Sequence, residues 1–271
     1  MVLPAEQILA GMQAAAGLAV DALGIFLGVT LAVYAIPAGL FHLLVRRVDP
    51  ARRIQSRPLK PGQVRNEVLA SLRSMLLATA GGLAILLAWR QGHTALYADL
   101  GAWPLWWLPA SLLLCFVAHE TFTYWTHRAM HHPALFRWMH RQHHRSVTPT
   151  PWSIFSYEVG EMLVLLVFYL ALVWLVPLHP AVLFTFMVGS ALVNALGHSG
   201  FEFMPAPGPG RPWARFLLRV AHHDMHHSGC RGNFSTYTSF WDRVCGTYVE
   251  PPALPARAAV VPVTTAPATT G

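Results

Sequence analysis

The sequence predicts an all-α integral membrane protein. About five apolar helices, four or five of them transmembrane, should carry a cytoplasmic helical cap with a histidine-rich di-metal site. Three observations predict this. Of 271 residues, 54% are hydrophobic and only 11% charged, against roughly 25% charged in a soluble domain. The charge-free stretches are long enough to cross a bilayer. Between them stand three histidine clusters at helical spacing: His127, His131 and His132; His140, His143 and His144; and His222, His223, His226 and His227.

The elements follow in order. Residues 1–13 contain no basic residue, so they do not read as a cleaved signal peptide, and the first apolar segment is expected to remain as a helix. Residues 22–45 carry no charge, and a span needs roughly 20 apolar residues. Pro37 should kink this helix. Residues 46–65 follow as a basic, proline-containing loop facing lipid head groups on the cytoplasmic side. A second span is expected over 68–89, with Arg73 snorkelling to the interface and Gly81-Gly82 allowing close helix packing. A third starts near Leu100 among Trp103, Trp106 and Trp107, an aromatic belt. It should run on through Glu120 to His132, since no Gly or Pro intervenes.

Pro149 and Pro151 break the chain. Residues 162–201 have no formal charge, and the Pro177-Leu178-His179-Pro180 turn divides them. Two short spans or a re-entrant hairpin both fit that length. Residues 202–212 read as a Pro/Gly-rich loop. Residues 213–227 read as an interfacial helix with Trp213, Phe216, Leu217 and Val220 on one face. The expected organisation is a membrane helix and basic loop over 1–65, a catalytic unit over 66–250, and a disordered tail over 251–271.

Charge fixes the expected orientation. Five spans place the N-terminus outside and the C-terminus inside. Nearly all Arg and Lys then fall on the cytoplasmic side with the three clusters, Arg90 being the main exception. The net charge of +7 does not point to nucleic acid: one Lys stands among 19 basic residues, and the arginines lie beside apolar spans. Three cysteines without a CxxC pair indicate inert thiols rather than a disulfide framework or zinc ribbon.

On a helix, positions i, i+3 and i+4 share a face. His127 and His131 are four apart, and His140/143/144 and His223/226/227 repeat the i, i+3, i+4 triple. Each cluster is thus expected to aim its imidazoles at one point. Neutral imidazole suits Fe, Zn, Cu or Ni. Eight such side chains exceed one tetrahedral site, so two metals are the economical reading. His42, His93 and His179, standing alone, read as interface residues. A metal transporter or metal-sensing protein is the competing reading, but transporters place ionisable ligands within their spans, and these spans are nearly free of them. His119-Glu120 lacks the following His of a zinc protease HExxH.

These boxes, with Tyr124-Trp125-Thr126-His127-Arg128, Asn194-Ala195-Leu196-Gly197-His198-Ser199-Gly200 and Trp241-Asp242-Arg243, resemble the histidine boxes of the fatty acid hydroxylase/sterol desaturase superfamily over residues 120–248. The resemblance implies a non-haem di-iron centre that uses O2 and external electrons to hydroxylate or desaturate an unactivated C–H bond of a lipid such as a sterol or fatty acyl lipid. It implies ligands at His127, His131, His140, His143, His144, His198, His223, His226 and His227. His132 is an alternative to His131, Asn194 a residue that orients His198 or binds through water, and His222 a neighbour of the third box. Glu120, Asp224 and Asp242 are candidates to accept the second N–H of a ligating histidine, with interface solvation or helix capping as the plainer alternative. Asn233 suits a turn near the site. No Gly-rich nucleotide fingerprint occurs, so the electrons are expected from a ferredoxin, cytochrome or reductase.

Overall fold

The computed structural model describes residues 4–205, 210–229 and 231–251. The tail expected beyond 251, Cys230 and part of the 202–212 loop lie outside these. The described residues form helices without a sheet, joined by three isolated β-bridges.

The first apolar segment begins earlier than the charge pattern suggests. α1 (Ala5–Val29) passes through a π-helical stretch (Thr30–Ala35) into α2 (Ile36–Leu44). Pro37 explains the stretch. Proline lacks an N–H and its ring crowds the carbonyl four residues back. The helix widens just before it, and the Ile36 N–H reaches back to the Leu31 carbonyl. Val33, Tyr34 and Ala38 are buried where the segment meets its neighbours.

The basic loop is also a strap bound to the protein. Two 3-10 turns (Val45–Arg47, Pro50–Arg52) lead into a backbone bridge between Arg53 and Phe201. Gln55 donates to the Pro149 carbonyl at 2.9 Å, and Arg57 donates to the Val147 carbonyl and pairs with Asp224 at 2.8 Å. These two side chains satisfy carbonyls of the loop after the second box, while Arg46, Arg47, Arg53 and Lys60 stay exposed.

α3 (Gln63–Arg90) packs on α1. Gly82 permits the approach, since a Cβ there would lie 3.1 Å from Ile25 Cγ2, and Gly81 admits Leu166, whose Cδ2 is 2.4 Å from where a Cβ would stand. The exposed Arg73 guanidinium donates to the Tyr157 carbonyl. Arg90 pairs with Asp21 of α1.

Residues 100–106 are turns rather than helix, and α4 starts at Trp107 (Trp107–Met130). Trp107 Nε1 donates to the Pro177 carbonyl at 2.8 Å, while Trp103 and Trp106 stay exposed. α4 then runs unbroken into the first box. Two short helices follow, α5 (Pro133–Met139) and α6 (Arg141–His144), then α7 (Val159–Leu175) and α8 (Pro180–Gly197) with a tight turn between them. Cys115, Phe168, Leu172, Leu178, Val182 and Phe186 join α4, α7 and α8 in one core. A second core (Tyr34, Ala38, Met75, Ile154, Ala195) ties α2, α3 and α8 to the loop after the second box. Both cores end at the histidines.

Among the described residues, three segments are long and apolar enough to cross a membrane: Leu9–Arg47, Gln63–Arg90 and Pro180–Gly197. α7, at 17 residues, is shorter. The apolar part of α4, 107–118, is about 18 Å long at 1.5 Å per residue.

The helix expected over 213–227 is broken. A 3-10 turn (Pro212–Phe216) gives way to an extended Leu217 bridged to Thr238, and α9 (Val220–Gly229) begins only at Val220. Distant groups impose the break: Glu202 accepts the Val220 and Ala221 N–H groups, and Leu218 N–H donates to the Tyr237 carbonyl. The expected common face does not form, since Val220 is buried and Trp213 and Phe216 are exposed. α10 (Phe240–Val244) completes the described fold. Cys115 and Cys245 are free thiols.

Candidate metal centre

Nine histidines converge where α4, α6, α8 and α9 end. They form two sets. His127, His131, His140, His144 and His226 make the first, and His143, His198, His223 and His227 the second; within each, ligand atoms lie within 4.8 Å of one another. The first box converges on one point, but the other two do not. The second and third boxes are each divided between the two sets. Helix geometry is the reason. An i+4 residue sits about 40° from residue i and an i+3 residue about 60° the other way, so adjacent histidines diverge by about 100°. His140 with His144 and His223 with His227 stay together, while His143 and His226 cross over. His140 itself is not on a helix face. It stands at the junction of α5 and α6 with φ −145°. The sets adjoin, with His144 and His227 ring centroids 4.9 Å apart.

The protonation pattern suits cations. His127 Nδ1 donates to the Phe234 carbonyl at 2.8 Å, His226 Nδ1 to Gly232 at 2.7 Å, and His227 Nδ1 to Ser146 at 3.0 Å. A carbonyl only accepts, so each proton sits on Nδ1 and each Nε2 presents a lone pair. His198 follows the same logic through Ser153, whose hydroxyl is already given to the Thr150 carbonyl. The Nε2 atoms of His127, His131, His140 and His198 are buried without a hydrogen-bond partner, an arrangement that is costly unless something binds them. The Nε2 of His226 lies 3.1 Å from that of His144, and the Nε2 of His227 3.1 Å from that of His223. Two nitrogens bound at right angles to one ion at about 2.1 Å stand close to that distance apart. Burial pushes His144 and His198 down to about 3 and His131 down to about 2, which keeps the rings neutral as metal ligands must be. The residues fit two metal ions.

Comparison with known proteins gives the site its family. The family model for fatty acid hydroxylase matches residues 112–247, half of the chain and every histidine of both sets. The chain belongs to the fatty acid hydroxylase family. A delta(7)-sterol 5(6)-desaturase of Gibberella zeae is 27% identical over 220 residues, covering 81% of this chain and 65% of that protein. A lathosterol oxidase of Rattus norvegicus is 28% identical over 70% of this chain and 62% of its own. A cholesterol 25-hydroxylase of Mus musculus is 31% identical over 54% of this chain and 49% of its own. The chain thus spans about two thirds of the first two relatives and half of the third. No solved structure matches it.

In this fatty acid hydroxylase family member the acidic residues act one step behind the imidazoles. Glu120 does not take a histidine N–H. Its carboxylate accepts the Thr236, Tyr237 and Thr238 N–H groups and the Thr238 hydroxyl. Asp242 likewise accepts the Phe234 and Ser235 N–H groups and the Thr247 hydroxyl. Both acids are spent on the 234–238 loop, whose Phe234 carbonyl orients His127. Asp224 pairs with Arg57 of the strap instead of a histidine. Asn233 forms the expected turn with φ 57°, its amide exchanging two hydrogen bonds with Val249.

His132 belongs to neither set. Its Nδ1 caps α5 by accepting the Ala134 N–H. His222 is also outside, held by the Arg219 N–H and 3.0 Å from the Tyr248 hydroxyl. Asn194 lines the adjoining cavity, and its backbone carbonyl, rather than its side chain, accepts the His198 N–H. Glu161 is the residue that sequence reasoning missed: its Oε1 lies 2.9 Å from His140 Nδ1. The available signal was an acid standing immediately before a 40-residue charge-free stretch. The carbonyls of Phe234, Gly232 and Ser146 have no sequence signal.

Above both sets lies a cavity of about 120 Å³. His127, His140, His143 and His223 form its polar end, and Met162, Leu165 and Met187 are among its apolar walls.

Proposed function

We propose that this protein is a membrane-bound di-iron oxidoreductase that uses O2 and external electrons to hydroxylate or desaturate an unactivated C–H bond of a lipid such as a sterol or fatty acyl lipid. The observation that carries the reading is the pair of buried, neutral histidine sets at the end of a largely apolar cavity. The irons, when bound, supply the activation of O2 and the oxidation of the C–H bond. His127, His131, His140, His144 and His226 would hold one, and His143, His198, His223 and His227 the other. The family membership favours iron over the other metals that imidazole accepts, and the relatives' names favour a lipid substrate.

The chain's own residues do the rest. Carbonyls of Phe234, Gly232 and Ser146, and the Ser153 hydroxyl, keep the protons on Nδ1 and the Nε2 lone pairs inward. Glu161 stands 2.9 Å from His140 Nδ1 and faces it with its carboxyl. Glu120 and Asp242 hold the loop that holds His127. The apolar walls present an alkyl chain to the histidines and keep water from the site. The catalytic unit is assigned to residues 66–250, with 1–65 supplying a membrane helix and the strap.

We place α1–α2, α3, α4, α7 and α8 across the bilayer, the histidines and C-terminus on the cytoplasmic side and the N-terminus outside, on the distribution of Arg and Lys. Arg128, Arg137, Arg141 and Arg145 are exposed around the histidine cap. They suit docking of an acidic ferredoxin, cytochrome or reductase. A metal transporter is disfavoured because the gathered ligands cap helix ends rather than line a path through the spans.

The test is turnover by purified, iron-loaded protein given a reductase system, O2 and a host lipid extract, followed by mass spectrometry. A lipid gaining one oxygen or losing two hydrogens, in step with O2 uptake, supports the proposal. Iron-loaded protein that leaves every lipid unchanged contradicts it.

A further inference from the structure

Within the apolar walls of the cavity stands one chain of polar side chains. His119 of α4 and Ser190 of α8 both line it and are both about 5% exposed. Tyr237 links them: its hydroxyl lies 2.8 Å from His119 Nδ1 and donates to Ser190 Oγ at 2.8 Å. With that proton given to Ser190, His119 must donate from Nδ1, which leaves its Nε2 as an acceptor. Among the described residues, neither His119 Nε2 nor the Ser190 hydroxyl proton has a protein partner. Aromatic rings surround the group: Phe168 and Phe186 lie edge-on to His119 at 5.1 and 5.4 Å. Placing three polar side chains there is costly unless their remaining hydrogen-bonding capacity is used.

We infer that His119, Tyr237 and Ser190 form a binding site for the hydroxyl group of a lipid alcohol. One acceptor (His119 Nε2) and one donor (the Ser190 hydroxyl) face the same cavity. An alcohol meets both, giving its proton to His119 and accepting from Ser190. An ether or hydrocarbon does not. The apolar class of the guest follows from the surroundings. Tyr237 also walls a 550 Å³ groove lined by Leu113, Phe116 and Val117, and Leu113 and Val117 are more than half exposed. His119 precedes His127 by eight residues, about 12 Å of helix. An alcohol seated on the trio therefore presents to the histidines a carbon several bonds away from its own oxygen. The inference rests on reading this cavity as the substrate site.

The test is equilibrium binding of tritiated probes to the purified, iron-loaded full chain in detergent, kept anaerobic so that no turnover occurs. Two pairs are compared: cholesterol with its methyl ether, and octadecanol with its methyl ether. At least one alcohol should bind about tenfold or more tighter than its ether, the size expected for a lost buried hydrogen bond. Which pair discriminates separates a sterol from a long-chain alcohol. Ser190→Ala and His119→Phe should bring that alcohol to within about twofold of its ether, leave the ether's affinity nearly unchanged, and keep the wild-type iron content. Equal binding of alcohol and ether by the wild type, or discrimination that survives both substitutions, overturns the inference. The wild-type comparison stands even if a variant fails to fold. Iron loading and O2 uptake are measured separately, so a failed alcohol site is distinguishable from a failed oxidoreductase.

Discussion

His127 Nδ1 lies 2.8 Å from the carbonyl oxygen of Phe234. That bond decides which nitrogen of the first histidine faces the metal site, and it depends on where Phe234 sits. The Phe234 N–H is held in turn by Asp242 Oδ1 at 2.9 Å. An aspartate with no hydrogen bond to either histidine set thereby fixes a tautomer within one of them.

Removing that support should be felt by the first set alone. Asp242→Ala is expected to lower its metal affinity by about 10- to 100-fold, the range for such outer partners, and to leave the second set near wild type. Chelator competition followed by Mössbauer spectroscopy resolves the two. Equal weakening of both sets would show that Asp242 acts on the whole fold.

Glu161 makes a parallel case through His140. Glu161→Gln keeps an acceptor oxygen facing His140 Nδ1, so iron content should hold. Glu161→Leu removes it, and the first set should release iron about 10- to 100-fold more readily. Iron analysis after dialysis against a chelator checks both. A Leu variant that keeps its iron as well as wild type would mean that Glu161 is not needed to orient His140.

Much of this centre was legible in the sequence, for physical reasons. The i, i+4 pairs His127/His131 and His223/His227 share a set because four residues nearly complete a helical turn. Pro37 and the 177–180 turn acted locally and were readable locally. What escaped the sequence depends on partners far along the chain. The early break of the 213–227 segment needs Glu202 and Tyr237. The role of Glu120 needs a loop 116 residues later. The split of each HisHis doublet between two sets needs the neighbouring helices to stand on either side of it. His132 and His222 have the right chemistry, and only their capping and Tyr248 contacts remove them from the site.

Acid should unfold the metal-free protein. Burial pushes His144 and His198 from the ordinary 6.5 down to about 3. The folded state therefore keeps them neutral while the unfolded chain takes up protons below pH 6.5. Their contribution to stability is fully present above that pH and is lost as pH falls toward 3. The melting temperature of chelator-treated protein should stay level from pH 8 to 7 and drop between pH 6.5 and 5. A melting temperature unchanged or raised over that interval would contradict the buried neutral rings.

Gly232 tests the orientation of His226. Its carbonyl accepts His226 Nδ1, and a Cβ added there would lie 2.4 Å from the Thr247 carbonyl oxygen. Backbone must move to admit it, and the acceptor moves with it. Gly232→Ala is expected to lower first-set iron occupancy several-fold, read by the same Mössbauer measurement, whereas Gly210→Ala, with open space around its Cβ, should not. Full occupancy in Gly232→Ala would show that His226 does not depend on that carbonyl.

The central claim is two metal ions held by two separate histidine sets, and metal counting on purified protein tests it most directly. Wild type should hold about two Fe per chain. His226→Ala should weaken the first set and His198→Ala the second, each variant falling toward one Fe, with different residual Mössbauer signals. One Zn per wild-type chain, or two Fe retained in both variants, would contradict it.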